Sequence, residues 1–337
     1  MNDATKHPIE ITNLQIGYKE GKKIKSLSDS ITTHAKRGEL IALIGPNGAG
    51  KSTFLRSICQ LQQVLNGEIY LQGFNAKHLN RNQIAKQVSL VSTELQRTSR
   101  LKVIDLVGLG RFPYGNWYSG TTSSDTQIIK HSLEQVGMLS FANRYITELS
   151  DGEFQRVMIA RALTQDTPIV VLDEPTAFLD LANKFSVVQL LWKLCREQQK
   201  TIIYSTHDIN IALQYADVFW VLTQMKLHTG APEDLLLNHT IEQLFTDHNL
   251  VFDINSSQFI KRKLYNYNVH IQGDGVACQI TKMALNRLGI STDSNKPPKL
   301  TVTISGGEND FNCIINNDVK HTYTSIYQLQ SALNNFI

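Results

Sequence analysis

The sequence predicts an α/β fold in which a buried, mostly parallel sheet carries ligand-binding residues at one edge. Three stretches support this. Residues 39–58 have the pattern of an apolar strand, a glycine-rich turn and a helix, and residues 168–175 that of an apolar strand ending in two carboxylates. Residues 201–208 predict a third strand, which ends in a histidine. All-apolar strands are typical of a parallel sheet covered on both faces, and ligands bind at the carboxyl ends of such strands.

The composition is that of a globular protein of about two domains. The chain has 337 residues, 42% hydrophobic and 19% charged, which is enough for a sizeable core. No apolar run approaches the roughly 18 residues that span a bilayer, and residues 1–6 lack the apolar stretch of a secretory signal. The four cysteines are far apart, so we expect free thiols in a reducing cytosol. A net charge of +3 is too small to indicate a nucleic-acid partner.

The glycine-rich turn at residues 45–53 predicts a nucleotide-phosphate site. It follows the pattern Gly-x-x-x-x-Gly-Lys-[Ser/Thr] between a predicted strand and a predicted helix. Glycines let the backbone wrap a phosphate chain, and the N–H groups at the start of the helix point at its oxygens. Lys51 would reach the β- and γ-phosphates, and the Ser52 hydroxyl would hold Mg²⁺. The residues assigned to the nucleotide are Gly45, Pro46, Asn47, Gly48, Ala49, Gly50, Lys51, Ser52 and Thr53.

Two strand ends supply candidate catalytic groups. Asp173 is placed to hold Mg²⁺, and Glu174 to orient or deprotonate an attacking water. By itself an Asp-Glu-Pro triplet is equally typical of a helix N-cap, but the phosphate loop in the same chain favours the catalytic interpretation. His207 is a candidate sensor of the γ-phosphate, although a lone histidine is more often structural.

Two other features leave alternatives open. Tyr18 is placed either to stack on a purine ring or simply to end a strand. The segment from Gly108 to Tyr118 contains four aromatic residues and Arg111. It is either a protein-contact surface or a satellite hydrophobic cluster beneath a loop.

The pattern of apolar residues divides the chain in two. Strands at 9–16, 24–33 and 40–44 predict an antiparallel layer that leads into the sheet, and 216–222 is predicted as the last strand of that sheet. A helical subdomain is expected at about 95–160, with one helix beginning at an Asp125 N-cap. We expect one domain at 1–255 and a small α+β domain at 256–337, for dimer contacts or regulation. The predicted elements of the second domain are strands at 267–272, 300–305 and 311–316, a possible hairpin strand at 321–324, and helices at 276–288 and 326–336.

Taken together, these motifs resemble the ATP-binding subunits of ABC transporters over roughly residues 9–250. Residues 45–53 are similar to Walker A, and residues 169–174 to Walker B with its following glutamate. Residues 149–153 are similar to the signature Leu-Ser-Gly-Gly-Gln, 176–180 to the D-loop, and His207 to the switch histidine. The resemblance implies a P-loop NTPase (ABC ATPase) fold with a mixed central sheet, an antiparallel β layer, a helical subdomain and a small C-terminal α+β domain.

The resemblance also implies ATP and Mg²⁺ as cofactors, Mg-dependent ATP hydrolysis, and a homodimer. In the family each ATP lies between Walker A of one subunit and the signature helix of the other. Tyr18 then falls at the position that stacks on adenine. The residues that the resemblance adds to the nucleotide site are Ser150, Gly152, Glu153 and Asp180.

The sequence departs from the family pattern in the signature and in the Q-loop. Asp151 and Glu153 stand where glycine and glutamine are usual, and both add negative charge near the expected γ-phosphate. No Pro-Gln follows the strand at 88–92. Thr93, Glu94 or Gln96 must therefore take the metal- and water-contacting role, and Glu94 is our candidate metal ligand.

Residues 109–113, Leu-Gly-Arg-Phe-Pro, are similar to a segment of importers for iron–siderophore complexes, haem and vitamin B12. This resemblance implies contact with transmembrane permease subunits through Gly108 to Tyr118. A periplasmic or lipoprotein binding protein would take part indirectly. The implied location is peripheral, on the cytoplasmic face of the cell (inner) membrane.

Two other functions remain open at the level of sequence. A soluble ABC ATPase that acts on DNA or ribosomes would carry a coiled-coil insertion or two cassettes, and neither is visible here. A non-hydrolysing ATP-binding module would account for the altered signature and Q-loop. Against it stand the intact Lys51, Asp173, Glu174 and His207.

Overall fold

The computed structural model describes residues 7–21, 23–92, 100–115, 122–223, 225–244, 250–253, 258–261, 267–292, 300–305, 312–316 and 320–334. The chain forms two compact units, Met1–Phe259 and Ile260–Ile337. The division lies close to the boundary expected at 255. None of the described helices is long and apolar enough to cross a bilayer.

The first unit combines a central sheet, an antiparallel layer and packed helices. Its strands are β1 (Ile9–Gln15), β2 (Gly17–Glu20), β3 (Lys23–Ser26), β4 (Ile31–Ala35), β5 (Leu40–Ile44), β6 (Asn66–Leu71), β7 (Phe74–Asn75), β8 (Val88–Val91), β9 (Ile169–Leu172), β10 (Thr201–Ser205), β11 (Val218–Leu222), β12 (Leu227–Gly230) and β13 (Leu250–Asp253); β14 (Gln258–Lys261) spans the unit boundary. Its helices are α1 (Lys51–Ile58), α2 (Arg81–Ala85), α3 (Val103–Gly108), α4 (Ser123–Gln135), α5 (Asp151–Thr164), α6 (Leu181–Gln198), α7 (Ile209–Tyr215) and α8 (Pro232–Leu237).

The central sheet has the spatial order β12-β11-β5-β10-β9-β8. All its neighbouring pairs are parallel except β11 with β12, so the sheet is mixed, as expected. The prediction that 216–222 is the last strand was wrong. A short connection, closed by a hydrogen bond from the Thr223 N–H to the Lys226 carbonyl, returns the chain antiparallel to β11. The sequence Leu-His-Thr-Gly of β12 lacks the apolar pattern that would have revealed a strand.

Strand β5 shows why the strands of this sheet are apolar throughout. Leu40, Ala42 and Ile44 join the core on one face of the sheet, while Ile41 and Leu43 join the core on the other. Every side chain of the strand is therefore buried. The same argument applies to β9 and β10, which are also buried along their full length.

The antiparallel layer has the order β4-β1-β6-β7, and β2 pairs with β3 as a separate hairpin. The prediction of one strand at 24–33 was wrong, because the chain leaves the strand between Ser26 and Ile31. There the Ser28 hydroxyl accepts a hydrogen bond from the Ile16 N–H at 3.0 Å, and the Asp29 N–H donates to the Met225 carbonyl. These tertiary hydrogen bonds replace those of a continuous strand.

Helices α3, α4 and α5 pack against one another and form the expected helical subdomain. The predicted Asp125 N-cap of α4 was wrong, since Thr122 takes that place. The Thr122 hydroxyl accepts from the Asp125 N–H, and the Asp125 carboxylate accepts from the Thr122 N–H, both at 3.1 Å. This is a capping box, in which the acidic residue occupies the third helical position. Hydrogen bonds from Thr122 and Arg111 keep the pKa of Asp125 below its ordinary value.

The second unit is a small α+β unit with its own core. Its elements are β15 (Tyr267–Gln272), α9 (Val276–Arg287), β16 (Ile290–Ser291), β17 (Leu300–Ser305), β18 (Asn312–Asn316), β19 (Lys320–Tyr323) and α10 (Ile326–Asn334). The sheet order is β16-β15-β17-β18-β19, parallel across the first three strands and antiparallel beyond. Apart from the two-residue strand β16, these elements follow the sequence prediction within two residues at each end.

The separate hydrophobic cores predict that the first unit folds without the second. A chain that ends at residue 259 should remain soluble and bind ATP with a Kd within about threefold of that of the full chain. The measurement is a titration with a fluorescent ATP analogue, with a thermal unfolding scan of both proteins. A truncated chain that is insoluble, or that binds no nucleotide, would show that the two units form one cooperative domain.

Candidate active site

The strand order brings three predicted segments to one edge of the central sheet. Strand β5 leads into the glycine-rich turn, its neighbour β10 leads into His207, and β9 beyond it leads into Asp173 and Glu174. The three strands are parallel and in register, with Ser205 opposite Leu43 and Tyr204 opposite Leu172. Their carboxyl ends therefore converge, although the glycine-rich turn is more than a hundred residues from the other two segments in the chain.

The turn after β5 has the backbone of an anion-binding loop. A Cβ atom at Gly45 would lie 2.3 Å from the Leu222 carbonyl oxygen, so only glycine fits beside β11. Gly48 and Gly50 have φ angles of 78° and 98°, in the region that favours glycine. Gly50 is the N-cap of α1 and, having no side chain, forms no capping hydrogen bond with the N–H groups of the first turn. Its first N–H groups are thus directed at whatever lies in the loop.

Lys51 lies within this loop with its ammonium group held close to the backbone. Its Nζ atom donates to the carbonyl oxygens of Gly45 at 2.9 Å and Pro46 at 3.2 Å. Burial lowers the pKa of Lys51, while the nearby carboxylates of Glu174 and Asp173 act in the opposite direction. The lysine is therefore close to the two carboxylates that follow β9, as the predicted site requires.

Ser205 is a site residue that the sequence analysis missed. Its hydroxyl donates to the Asp173 carboxylate at 2.8 Å and accepts from the Glu174 N–H at 2.8 Å. The side chain is fully buried at the end of β10. One hydroxyl thereby fixes both the carboxylate of Asp173 and the backbone of Glu174, whose φ of 50° is unusual for a residue with a side chain. The only signal in the sequence is its place two residues before His207.

Glu174 and His207 form a direct pair at the mouth of the site. The His207 Nε2 atom lies 2.9 Å from the Glu174 Oε1 atom, and both side chains are partly exposed. A partly exposed carboxylate held by an imidazole can accept a hydrogen bond from a water molecule. The predicted catalytic pair is therefore assembled within a single chain.

Tyr18 lies beside the helix that follows the phosphate loop. Its hydroxyl is 2.6 Å from the Thr53 hydroxyl on α1, and the residue is exposed. This position next to α1 suits a tyrosine that stacks on a base, the first of the two alternatives. Tyr18 lies within β2 rather than at the end of a strand.

The signature residues form a second group, centred on the start of α6. Ser150 caps α5, and a Cβ atom at Gly152 would lie 2.9 Å from the Asn183 side chain. Asp180 caps α6 and accepts from the Asn183 N–H at 2.8 Å. Ser150, Gly152 and Asp180 are thus connected to one another through Asn183 and the two helix starts.

Glu153 holds the hydroxyl group expected to contact a phosphate. Its carboxylate accepts from the Ser150 N–H at 2.8 Å and from the Ser150 hydroxyl at 2.9 Å. These bonds, the backbone one first, keep the pKa of Glu153 below its ordinary value. The carboxylate is therefore charged at neutral pH, and it occupies the Ser150 hydroxyl within the same chain.

Mg²⁺ is suited to this site only together with a nucleotide. Within the described ranges, no three acidic, histidine or cysteine side chains are gathered to hold a metal. The residues at hand are the Ser52 hydroxyl at the start of α1 and the carboxylate of Asp173, oriented by Ser205. Mg²⁺ commonly takes one or two protein oxygens and completes its shell with phosphates and water, so this donor set fits. The candidate ligand Glu94, with Thr93 and Gln96, lies outside the described residues.

The segment Leu109–Tyr114 is a 3₁₀ helix that follows α3 directly, and residues 116–118 lie outside the described part of the chain. Its Arg111 side chain is only 13% exposed; it donates to Asp125 at 2.7 Å and to the Thr164 carbonyl at 3.1 Å. Arg111 also stacks over the Tyr114 ring at 4.0 Å. Arg111 thus stabilises the subdomain, whereas Leu109 and Phe112 are exposed.

The fold and the strand-end residues define a P-loop NTPase of the ATP-binding cassette type. Residues 28–177 match the ABC transporter family, and residues 266–334 match the iron ABC transporter C-terminal domain. The chain belongs to the ATP-binding proteins of ABC transporters, and it is an ATP-binding, ATP-hydrolysing cassette protein. The expected fold class and enzyme class are confirmed.

Several relatives support this assignment. The petrobactin import ATP-binding protein of Bacillus anthracis is 34% identical over 238 residues, which cover 70% of this chain and 86% of the relative. The iron(3+)-hydroxamate import ATP-binding protein of Bacillus subtilis is 36% identical over 233 residues, covering 69% and 85%. The solved structure of a metal-chelate type ABC transporter in an inward-facing conformation aligns with a TM-score of 0.64 at 25% identity, covering 75% of this chain and 95% of that one. A dimeric post-hydrolysis cassette with ADP and phosphate aligns at 0.58 and 28%, covering 66% and 98%.

The Glu153 contact yields a prediction about nucleotide affinity. Glu153→Gln should keep the capping box but remove a negative charge near the expected γ-phosphate. We expect ATP-dependent dimerisation about threefold tighter, the effect of one screened charge. The measurement is ATP titration of dimer formation in a Glu174→Gln background.

Glu148→Gln is the matched control for Glu153→Gln, because the Glu148 carboxylate likewise accepts a hydrogen bond from a backbone N–H, that of Tyr145 in the preceding turn. An equal response in both variants would mean that only general charge matters. Weaker dimerisation in Glu153→Gln would mean that the carboxylate contributes to binding.

Proposed function

We propose that this chain powers import of an iron–siderophore type complex, as a homodimer bound to a separate transmembrane permease. The observation that carries the proposal is the convergence of Lys51, Asp173, Glu174 and His207 at one sheet edge, with Glu174 already paired to His207. The printed functions of the relatives, petrobactin and iron(3+)-hydroxamate import, support the class of cargo. The match of 266–334 to an iron transporter domain supports it independently.

In this proposal each residue has a defined task. The loop N–H groups and Lys51 bind the β- and γ-phosphates, with the Tyr18 ring against the adenine. When bound, Mg²⁺ would neutralise phosphate charge, held by Ser52 and the Asp173 carboxylate. Ser205 fixes Asp173 and the Glu174 backbone in their relative positions. The Glu174 carboxylate accepts a proton from, or orients, the attacking water, and His207 holds that carboxylate in place.

In the homodimer, the signature residues of one chain would complete the nucleotide site of the other. Ser150 and Gly152 belong to the start of α5 and Asp180 to the start of α6, whereas the proposed catalytic group belongs to the ends of β5, β9 and β10. Pairing two chains head to tail would place the signature helix of one against the nucleotide of the other. The dimeric cassette bound to ADP and phosphate, at 28% identity, supports such an arrangement. Closure would exclude water and couple hydrolysis to a rigid-body motion.

A groove on the first unit is the proposed docking surface for the permease. It has a volume of about 540 Å³ and is lined in part by Leu61, Arg81, Arg161 and Gln165. Gly110 packs against the backbone of Arg161, one of the lining residues, since a Cβ atom at Gly110 would be 2.4 Å from the Arg161 carbonyl oxygen. The neighbouring Phe112 adds an exposed aromatic ring of the kind enriched at interfaces. The protein would accordingly be peripheral, on the cytoplasmic face of the membrane, with a substrate-binding protein acting on the far side.

The first prediction from this proposal concerns hydrolysis. Glu174→Gln removes the base but preserves the shape, so we expect turnover to fall about a hundredfold or more while ATP binding persists. The variant should also accumulate as an ATP-bound dimer in size-exclusion chromatography. Turnover within about threefold of the unchanged protein, or ~0.65 kcal/mol of barrier, would assign the water to another residue. Absence of hydrolysis in the unchanged protein would favour a non-hydrolysing module.

The second prediction tests the docking surface. Phe112→Ser should abolish co-purification with the transmembrane permease and should reduce uptake, without altering nucleotide binding. The matched control is Phe74→Ser in the antiparallel layer, because Phe74 and Phe112 are 59% and 68% exposed. Full uptake by Phe112→Ser would contradict this surface. Arg111 is unsuitable for the test, because its contacts with Asp125 and Thr164 stabilise the subdomain.

A further inference from the structure

Helix α9 of the second unit exposes an apolar stripe. Val276, Ile280 and Met283 follow the i, i+4, i+7 spacing that places side chains on one face of a helix. All three side chains are exposed, that of Met283 to 70%. On the neighbouring helix α10, whose Gln330 donates to the Ala284 carbonyl at 3.2 Å, the Tyr327 side chain is 78% exposed. We call Val276, Ile280, Met283 and Tyr327 the helical patch.

The helical patch is not part of the core of the unit. Helix α9 packs against the sheet through another side, which includes Cys278 and Leu285. The exposed side chains of β15, His270 and Gln272, are polar, as expected for a sheet face in contact with water. The exposed residues of β15 are thus polar, whereas those of the α9 stripe are apolar. Exposed apolar patches of this kind mark interaction sites.

Two charges at the ends of α9 indicate what covers the helical patch. Asp274 precedes the helix and Arg287 is its last residue. Both are exposed, and neither forms an ion pair with any other residue that the structure describes. The twelve residues of α9 span about 18 Å, and Ile280 lies near the midpoint between the two charges. When two copies of α9 run antiparallel about a two-fold axis at Ile280, the Asp274 of each copy meets the Arg287 of the other.

We propose that the helical patch binds the helical patch of a second copy of this chain, through antiparallel pairing of α9. The pairing is self-complementary in both apolar surface and charge, as an isologous contact must be. It rests on the proposed function in one respect, namely that two cassettes operate in one complex and bring two second units together. Four side chains per copy are fewer than a standard interface of about 1,600 Å² contains, so the contact is weak by itself. Tethering to the cassettes raises its effective concentration. The second units therefore hold two cassettes together before ATP binds.

The test is self-association of the full chain without nucleotide, measured by sedimentation equilibrium over a range of protein concentrations. The unchanged protein should show a reversible monomer–dimer equilibrium. Met283→Glu should weaken dimerisation roughly tenfold or more, because the two-fold axis places the new charge in the contact twice. The control is Lys282→Glu, on the same helix but off the apolar stripe, which should leave the equilibrium within about threefold. A protein that is monomeric at every concentration would overturn the proposal.

A charge exchange tests the antiparallel arrangement. Asp274→Arg alone and Arg287→Asp alone should each weaken the dimer, because each creates two like-charge contacts across the axis. The double variant should restore most of the dimer, since it exchanges the charges without changing their pairing. A double variant that is as weak as the single variants would overturn the antiparallel pairing.

Crosslinking separates self-association from other occupants of the helical patch. Ile280→Cys should form a covalent dimer with a short bismaleimide in the absence of nucleotide, whereas Lys282→Cys should not. If α9 instead contacts its own cassette or the permease, neither variant will give a dimer, and the proposal fails. None of these measurements uses ATP, so a failure here is distinct from a failure of Glu174→Gln to arrest hydrolysis.

Discussion

The active site depends on the parallel register of β5, β10 and β9. This register places the phosphate loop, His207 and the Asp173–Glu174 pair at one edge of the sheet. Ser205 then connects two of the strand ends through a single buried hydroxyl, which bonds the Asp173 carboxylate and the Glu174 N–H. A buried hydroxyl that satisfies two partners holds them rigidly, because losing either bond would leave a buried polar group unpaired. Polar groups fixed in this way need little reorganisation when a ligand binds.

The signature region differs from these strand ends, because its hydrogen bonds are local and partly exposed. The Ser150 hydroxyl is held by Glu153 within its own helix start, and Asp180 by Asn183 one turn into α6. Local bonds at helix starts can exchange one acceptor for another at low cost, since water also competes for them. A site that must engage and release a partner is better built from such contacts than from buried ones. The structure thus holds Asp173 and Glu174 by buried bonds, and the signature residues by local, partly exposed ones.

Sequence reasoning placed the proposed catalytic residues at one sheet edge but did not anticipate every contact around them. Lys51, Asp173, Glu174 and His207 could be predicted because each stands at a strand end in a recognisable spacing. Ser205 could not, since a serine at the end of an apolar strand has no distinctive pattern. Arg111 was predicted as part of a contact surface, yet its bonds to Asp125 and Thr164 depend on how α4 and α5 pack. Ser28 likewise interrupts a predicted strand because of its tertiary bond to Ile16.

The sequence by itself determined the class of protein, the order of its main elements and the existence of a second unit. These features can be predicted from short sequence patterns, namely the glycine-rich turn, the apolar strands and the helical periodicity. The tertiary structure alone decided which polar side chains meet across the sheet edge, and where β12 adds an antiparallel strand. It also decided which face of α9 remains exposed. The physical reason is that the position of a residue in the helical or strand repeat fixes the face on which its side chain lies. Only packing determines whether that face is covered.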